Sequence, residues 1–153
     1  MAAKKTKKAA KKASTKKKAP KKKAAQRPAA RKVRAGFVSH TELSSSNPGA
    51  TVAWAKAALG WKFGPAMPTP NGPYHMWSFG DNMGGGIRSL SSGEKPGTTP
   101  YCEATSMRAA YDKALKAGAT AMMPPSEIPG GMGWIAVVSA PGGVPIGLWA
   151  QKE

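Results

Sequence analysis

The chain has 153 residues with 24 Lys and Arg against 7 Asp and Glu, a formal charge of +17. Residues 1–35 hold 16 of those positive charges and no acidic residue, leaving 8 basic and 7 acidic side chains for residues 36–153. A body so close to neutrality excludes a globule whose own folded surface is a basic nucleic-acid patch. The single cysteine, Cys102, excludes an internal disulfide and a multi-cysteine zinc site, and fits a reducing compartment. No stretch approaches the roughly 18 consecutive apolar residues of a membrane span. No apolar segment with a cleavage site follows the basic N-terminus, so no secretory signal is expected, and a mitochondrial presequence would favour Arg and Ser over Lys. The expected compartment is the cytoplasm, with the nucleoid as the address the tail raises.

The first segment, residues 1–35, repeats Lys and Ala around Pro20 and Pro28. Adjacent lysines repel and no large apolar side chain is available for burial, so the segment reads as disordered when free. Its composition resembles linker-histone tails and related bacterial nucleoid proteins. Lys4, Lys5, Lys7, Lys8, Lys11, Lys12, Lys16, Lys17, Lys18, Lys21, Lys22 and Lys23 can each displace a counterion from a phosphate backbone. Binding of that kind is independent of sequence and falls steeply with salt. With no aromatic residue to stack on a base, the tail tethers and does not read. The alternative is a solubilising arm, and the polyanion is DNA, RNA or another.

Beyond the tail, Phe37 to Leu43 alternates as a strand does, with His40 and Glu42 on one face. Asn47-Pro48 opens a helix over Ala50 to Leu59 that closes at Gly60. Trp61-Lys62-Phe63 begins a strand, a Pro/Gly-rich loop runs from Gly64 to Pro73, and Tyr74 to Phe79 and Gly86 to Leu90 are strands. The order then repeats: strand Tyr101 to Thr105, helix Met107 to Ala117 capped by Ser106, a strand from Ala119, a loop from Pro124 to Gly133, and strands Trp134 to Ser139 and Pro145 to Ala150. The pattern predicts an α+β fold of tandem βαβββ modules whose curved mixed sheet surrounds a cleft, spanning residues 36–153.

The run of FVSHTEL, NPGATVAWAKAALGWKF, the FGD turn, PYCEATSMRAAYDKALKAGA and MPPSEIPGGMGWIAVVSAPGGVPIGLW resembles the vicinal oxygen chelate superfamily, which includes glyoxalases, bleomycin-resistance proteins and extradiol dioxygenases. The likeness covers Phe37 to Trp149. It implies a His or Glu ligand at up to four matching strand positions, where a divalent metal activates vicinal oxygens. His40 matches the first. The second falls at or next to Pro100, the last at or near Gly147, and the place around Gly86 to Arg88 offers no carboxylate. A catalytic divalent cation needs about three protein ligands, so no metal or other cofactor is expected. An altered metal site drawing on Glu42, Glu103, Cys102, His75 or Glu127 is the alternative.

Elsewhere, neither histidine is followed by a carboxylate at a nucleophile spacing, and the glycine clusters lack the strand-to-helix context of a phosphate loop. Cys102 reads as structural. Trp54 and Trp61 read as core. His40, Glu42, Trp77, Tyr101, Glu103, Trp134 and Trp149 are the candidate walls of the cleft, where aromatic faces would stack on a flat or cationic ligand. The expectation is a small-molecule-binding domain with a nucleic-acid tether and with a homodimer as a compatible assembly. The alternatives are a metal-dependent lyase or dioxygenase using His40, and a nucleoid-associated structural protein.

Overall fold

The structure, a computed structural model, describes Met1, residues 32–80 and residues 83–153. The tail lysines from Lys4 to Lys23 and Asp81 of the FGD turn lie outside the described residues.

Lys32–Glu153 forms one compact unit. Its elements are β1 (Val38–Ser45), α1 (Pro48–Leu59), β2 (Met67–Thr69), β3 (Gly72–Gly80), β4 (Met83–Ser89), β5 (Gly97–Ala104), α2 (Met107–Lys116), β6 (Thr120–Glu127), β7 (Trp134–Ala140) and β8 (Val144–Ala150). The eight strands make one curled sheet in the order β2-β3-β4-β1-β5-β8-β7-β6. Read outward from the centre, both halves have the same sequence of strands, so the chain is the duplicated βαβββ module that the repeat of elements predicts. Within each half the first strand pairs with the last in parallel, β1 with β4 and β5 with β8. The halves meet through the antiparallel pair β1·β5. That pairing is what a twofold relation between the two modules requires of adjacent central strands.

Local chemistry explains the helix ends. The Asn47 side chain accepts from the Ala50 N–H, Pro48 takes the first turn, and Gly60 closes α1 in the left-handed region with φ 67°. Ser106 plays the N-cap part for α2, accepting from Ala109 N–H. Each helix covers one face of its own half-sheet. Val52, Trp77 and Ile87 form the first core, with Leu43, Trp61 and Phe63 against it. Met107, Tyr111, Ala136, Val138, Ala104 and Ala150 form the second. Ile87 and Met107 are 0% exposed, and burial of a side chain of that size contributes about 1.5–3 kcal/mol.

Three sequence expectations are corrected. Trp61-Lys62-Phe63 begins no strand; Phe63 makes a single bridge to Trp77, and the second strand falls later, at Met67–Thr69, inside the presumed loop. Residues 124–127 continue β6 instead of opening a loop, because β6 is an edge strand and its register shifts between Met123 and Ser126, the irregularity that accommodates Pro124 and Pro125. Trp54 is 59% exposed on the outer side of α1, since Val52 and Ala55 already occupy the face turned to the sheet.

Candidate ligand cleft

The other face of the sheet is uncovered by helices, and the strand alternation decides what it carries. On β1 it carries His40 and Glu42, on β3 Tyr74, on β4 Gly86 and Arg88, on β5 Tyr101 and Glu103, and on β8 Gly147 and Trp149. The register brings His40 opposite Tyr101, and Tyr101 opposite Gly147. The centre of the molecule, where the modules meet, is therefore a polar and aromatic floor.

His40 lies between two phenols. Its Nε2 is 2.7 Å from the Tyr74 hydroxyl, with the two rings nearly parallel, and its ring meets Tyr101 edge-on at 5.8 Å between centroids. Burial lowers the His40 pKa from its ordinary value, and the nearby Glu42 carboxylate only partly opposes this, so the imidazole is neutral at pH 7. Burial also pushes both phenols up, and Glu42 adds to the rise as a negative charge and hydrogen-bond acceptor. Both hydroxyls therefore keep their protons.

Arg88 ties the floor to the connection between the modules. Its Nε donates to Glu42 Oε1 at 2.8 Å, and its Nη1 and Nη2 donate to Glu94 Oε2 and Oε1 at 2.6 and 2.8 Å, a bidentate pair. Nη1 also donates to the Ser89 carbonyl at 2.9 Å. The Glu94 carboxylate accepts the Ser91 N–H as well. These bonds, with the guanidinium first, hold the Glu94 pKa down at about 2.

The glycines of this face are positions of close approach. A Cβ on Gly86 would land within the Tyr74 ring, and one on Gly147 within the Tyr101 ring. At two of the four places where the resemblance implies a ligating side chain, a phenol fills the space that such a side chain would use. The residues present do not fit a divalent metal. His40 Nε2 is engaged by a hydroxyl and Glu42 by a guanidinium, Gly86 and Gly147 lie beneath tyrosine rings, and Pro100 carries no ligating side chain. Among the described residues no three His, Cys, Asp or Glu side chains converge. His75 is placed on β3 opposite Ile87, on the helix side, and Glu127 is exposed at the end of β6. Cys102 also points away from this face, and burial raises its thiol pKa.

Of the seven residues expected to line the cleft, His40, Glu42, Tyr101, Glu103 and Trp149 share its floor. Glu103 is buried at 2% exposure, and one of its oxygens accepts the Arg34 N–H at 3.0 Å. The Trp149 indole donates to the Met132 carbonyl at 3.0 Å. Trp77 and Trp134 lie instead on the helix side. Trp77 stacks on Trp61 at 4.3 Å, and Trp134 packs against the second core. Each sits one residue out of phase with its strand's cleft-facing positions. Tyr74, Arg88 and Glu94 are floor residues the sequence did not single out. The signal for Arg88 is the duplication itself, since Gly86-Ile87-Arg88 and Gly147-Leu148-Trp149 hold equivalent places in the two halves. A separate apolar hollow of about 460 Å³ beside β3, lined by Phe63, Met67, Met76 and Trp77 among others, shares no residue with the cleft floor.

No family model and no curated protein matches this sequence. Solved structures do. The hypothetical protein BH1468 of Bacillus halodurans is 12% identical, with a TM-score of 0.62 over 78% of this chain and 97% of its own. Methylmalonyl-CoA epimerase of Mycobacterium tuberculosis is 13% identical, with a TM-score of 0.60 over 82% of this chain and 93% of its own. A mutant 4-hydroxymandelate synthase of Streptomyces coelicolor is 17% identical, with a TM-score of 0.62 over 76% of this chain and 39% of its own. All three are vicinal oxygen chelate proteins, and residues 32–153 have the vicinal oxygen chelate fold.

Proposed function

We propose that this chain is a small-molecule-binding member of the vicinal oxygen chelate superfamily that works without the superfamily's metal, and that its lysine tail holds it on a polyanion, nucleic acid above all. One observation carries the first part: the Tyr74 and Tyr101 rings lie over Gly86 and Gly147, so the floor that would hold an ion is built of phenols, an imidazole and an Arg–Glu network. Such a floor offers aromatic faces and fixed hydrogen-bonding groups, which are what a small organic ligand needs for burial and orientation. Methylmalonyl-CoA epimerases of the same fold are found in complex with methylmalonyl-CoA and with 2-nitronate-propionyl-CoA, which supports an organic molecule as the ligand here.

The tail supports the second part by charge alone. Sixteen positive charges precede Gly36, and a polyanion partner needs nothing more. Sequestration of a compound that attacks nucleic acid would unite the two parts.

The test is metal analysis of the purified full chain with and without His40→Ala. The reading requires no stoichiometric divalent ion in either; an ion held by the parent and lost in the variant overturns it. For the tail, removal of residues 1–35 should abolish salt-sensitive retention on DNA. Unchanged retention would sink the tether.

A further inference from the structure

Resting on the reading of the sheet's open face as a ligand cleft, we infer that this cleft selects for flat ligands bearing a positive charge and against carboxylates and phosphates. An oxyanion needs free donors, and Arg88, the cation of the floor, has none to spare in the right place. Its Nε, both Nη groups and four of its five N–H bonds are committed to Glu42, Glu94 and the Ser89 carbonyl. It holds a fork geometry that an incoming carboxylate would have to break. Two carboxylates against one guanidinium leave this group with a net charge of −1, while His40 and both phenols are uncharged at neutral pH. An anion entering here meets repulsion from Glu42, whose side chain is 13% exposed and so is little screened by solvent.

A cation meets the reverse. Glu42 supplies the charge, and the His40, Tyr74 and Tyr101 rings supply apolar and π surface beside it, the combination that binds ammonium and amidinium groups on aromatic ligands. The position of Glu42 between the halves places that charge at the centre of the floor, opposite Thr99 and next to Gly86. The class of ligand is thus an aromatic or heteroaromatic amine, amidine or guanidine.

Three indoles that differ in charge test this with the full chain: tryptamine, indole-3-methanol and indole-3-propionate, each titrated by calorimetry at pH 7.5. Tryptamine should bind at least about tenfold tighter than indole-3-propionate, the neutral indole falling between. Glu42→Gln should shrink the ratio to within about threefold, and Glu94→Gln, which leaves the Glu42–Arg88 pair in place, should invert it by freeing Arg88 donors. Equal or tighter binding of the propionate by the parent chain overturns the charge selectivity and leaves the cleft reading standing. Equal tryptamine binding when Trp149→Ala and Tyr101→Ala are introduced places the ligand elsewhere and overturns both. Binding of none of the three by a parent chain that melts cooperatively also overturns both.

Discussion

His40 Nε2 and the Tyr74 hydroxyl are 2.7 Å apart across the β1 and β3 strands, both side chains half-buried. A neutral imidazole has one donor and one acceptor, and a carboxylate only accepts. With the imidazole neutral, one of the two groups donates and the other accepts, and the tautomer decides which. His40 Nε2 is thereby engaged by a phenol, while Glu42 is engaged by Arg88 Nε. Tyr74→Phe removes the first of these bonds and leaves a half-buried imidazole nitrogen without its partner. The expected loss is about 1–3 kcal/mol of unfolding free energy, measured by urea denaturation.

The neutrality of His40 sets a pH dependence. Its folded pKa lies below the unfolded value near 6.5, so between the two the unfolded chain binds more protons and stability rises with pH. That contribution is complete above about pH 6.5 and is lost as pH falls through that value toward the folded pKa. Glu94 acts in the same direction lower down: with its folded pKa at about 2, its contribution is present above pH 4.5 and lost on descent toward 2. Denaturation midpoints from pH 8 to 5 should fall for the parent and stay level for His40→Gln. A Glu94→Gln variant should remove the second drop, below pH 4.5, and leave the first.

Much of this fold is legible in the sequence because it occurs twice. Asn47-Pro48 and Ser106 start the helices, Gly60 ends one, and the order of elements repeats, so the module and its duplication can be read from capping and periodicity. The cleft is less legible. His40, Glu42 and Tyr101 lie on central strands whose alternation fixes their face. Trp77 belongs to a strand with aromatic residues on both faces and Trp134 to one with apolar residues on both, so only the packing of Trp61 on Trp77 and of Trp134 on the second core decides which side is core. Arg88 escapes notice because nothing local marks a guanidinium that will meet a carboxylate 46 residues away, and Glu94, only six residues from Arg88, lies in an irregular connection whose path no periodicity fixes. Tyr74 is hidden for a related reason: its role depends on Gly86 being bare.

The equivalent dependence in the second module, of Tyr101 on a bare Gly147, is measurable. Gly147→Ala forces a methyl into the Tyr101 ring and should cost about 1–3 kcal/mol, the usual penalty of overpacking. In a Tyr101→Ala background the same substitution should cost under about 0.5 kcal/mol, because the ring that it strikes is gone. The coupling from the four-member cycle, read by thermal or urea unfolding, reports the contact directly. An equal cost in both backgrounds would place the clash elsewhere.

Arg88 is the keystone of the charged group. Arg88→Met removes the partner of both Glu42 and Glu94, whose side chains are 13% and 27% exposed. A half-buried carboxylate left unpaired makes this costly, about 2–4 kcal/mol. Addition of Glu42→Leu to Arg88→Met should return at least half of that loss, since replacing both partners by apolar groups removes the stranded charge. Failure of the second substitution to restore any stability would show that Arg88 acts through some other contact.

The central claim is that phenols and glycines, and no metal, define the floor of this cleft. With two histidines in the chain, proton NMR of the imidazoles during titration with Mn²⁺ reads that claim at the residue concerned. The account predicts that His40 and His75 signals broaden together and only weakly at one equivalent of Mn²⁺, His75 serving as the internal reference on the opposite side of the sheet. Selective loss of the His40 signals at substoichiometric Mn²⁺, abolished by Glu42→Gln, would contradict it.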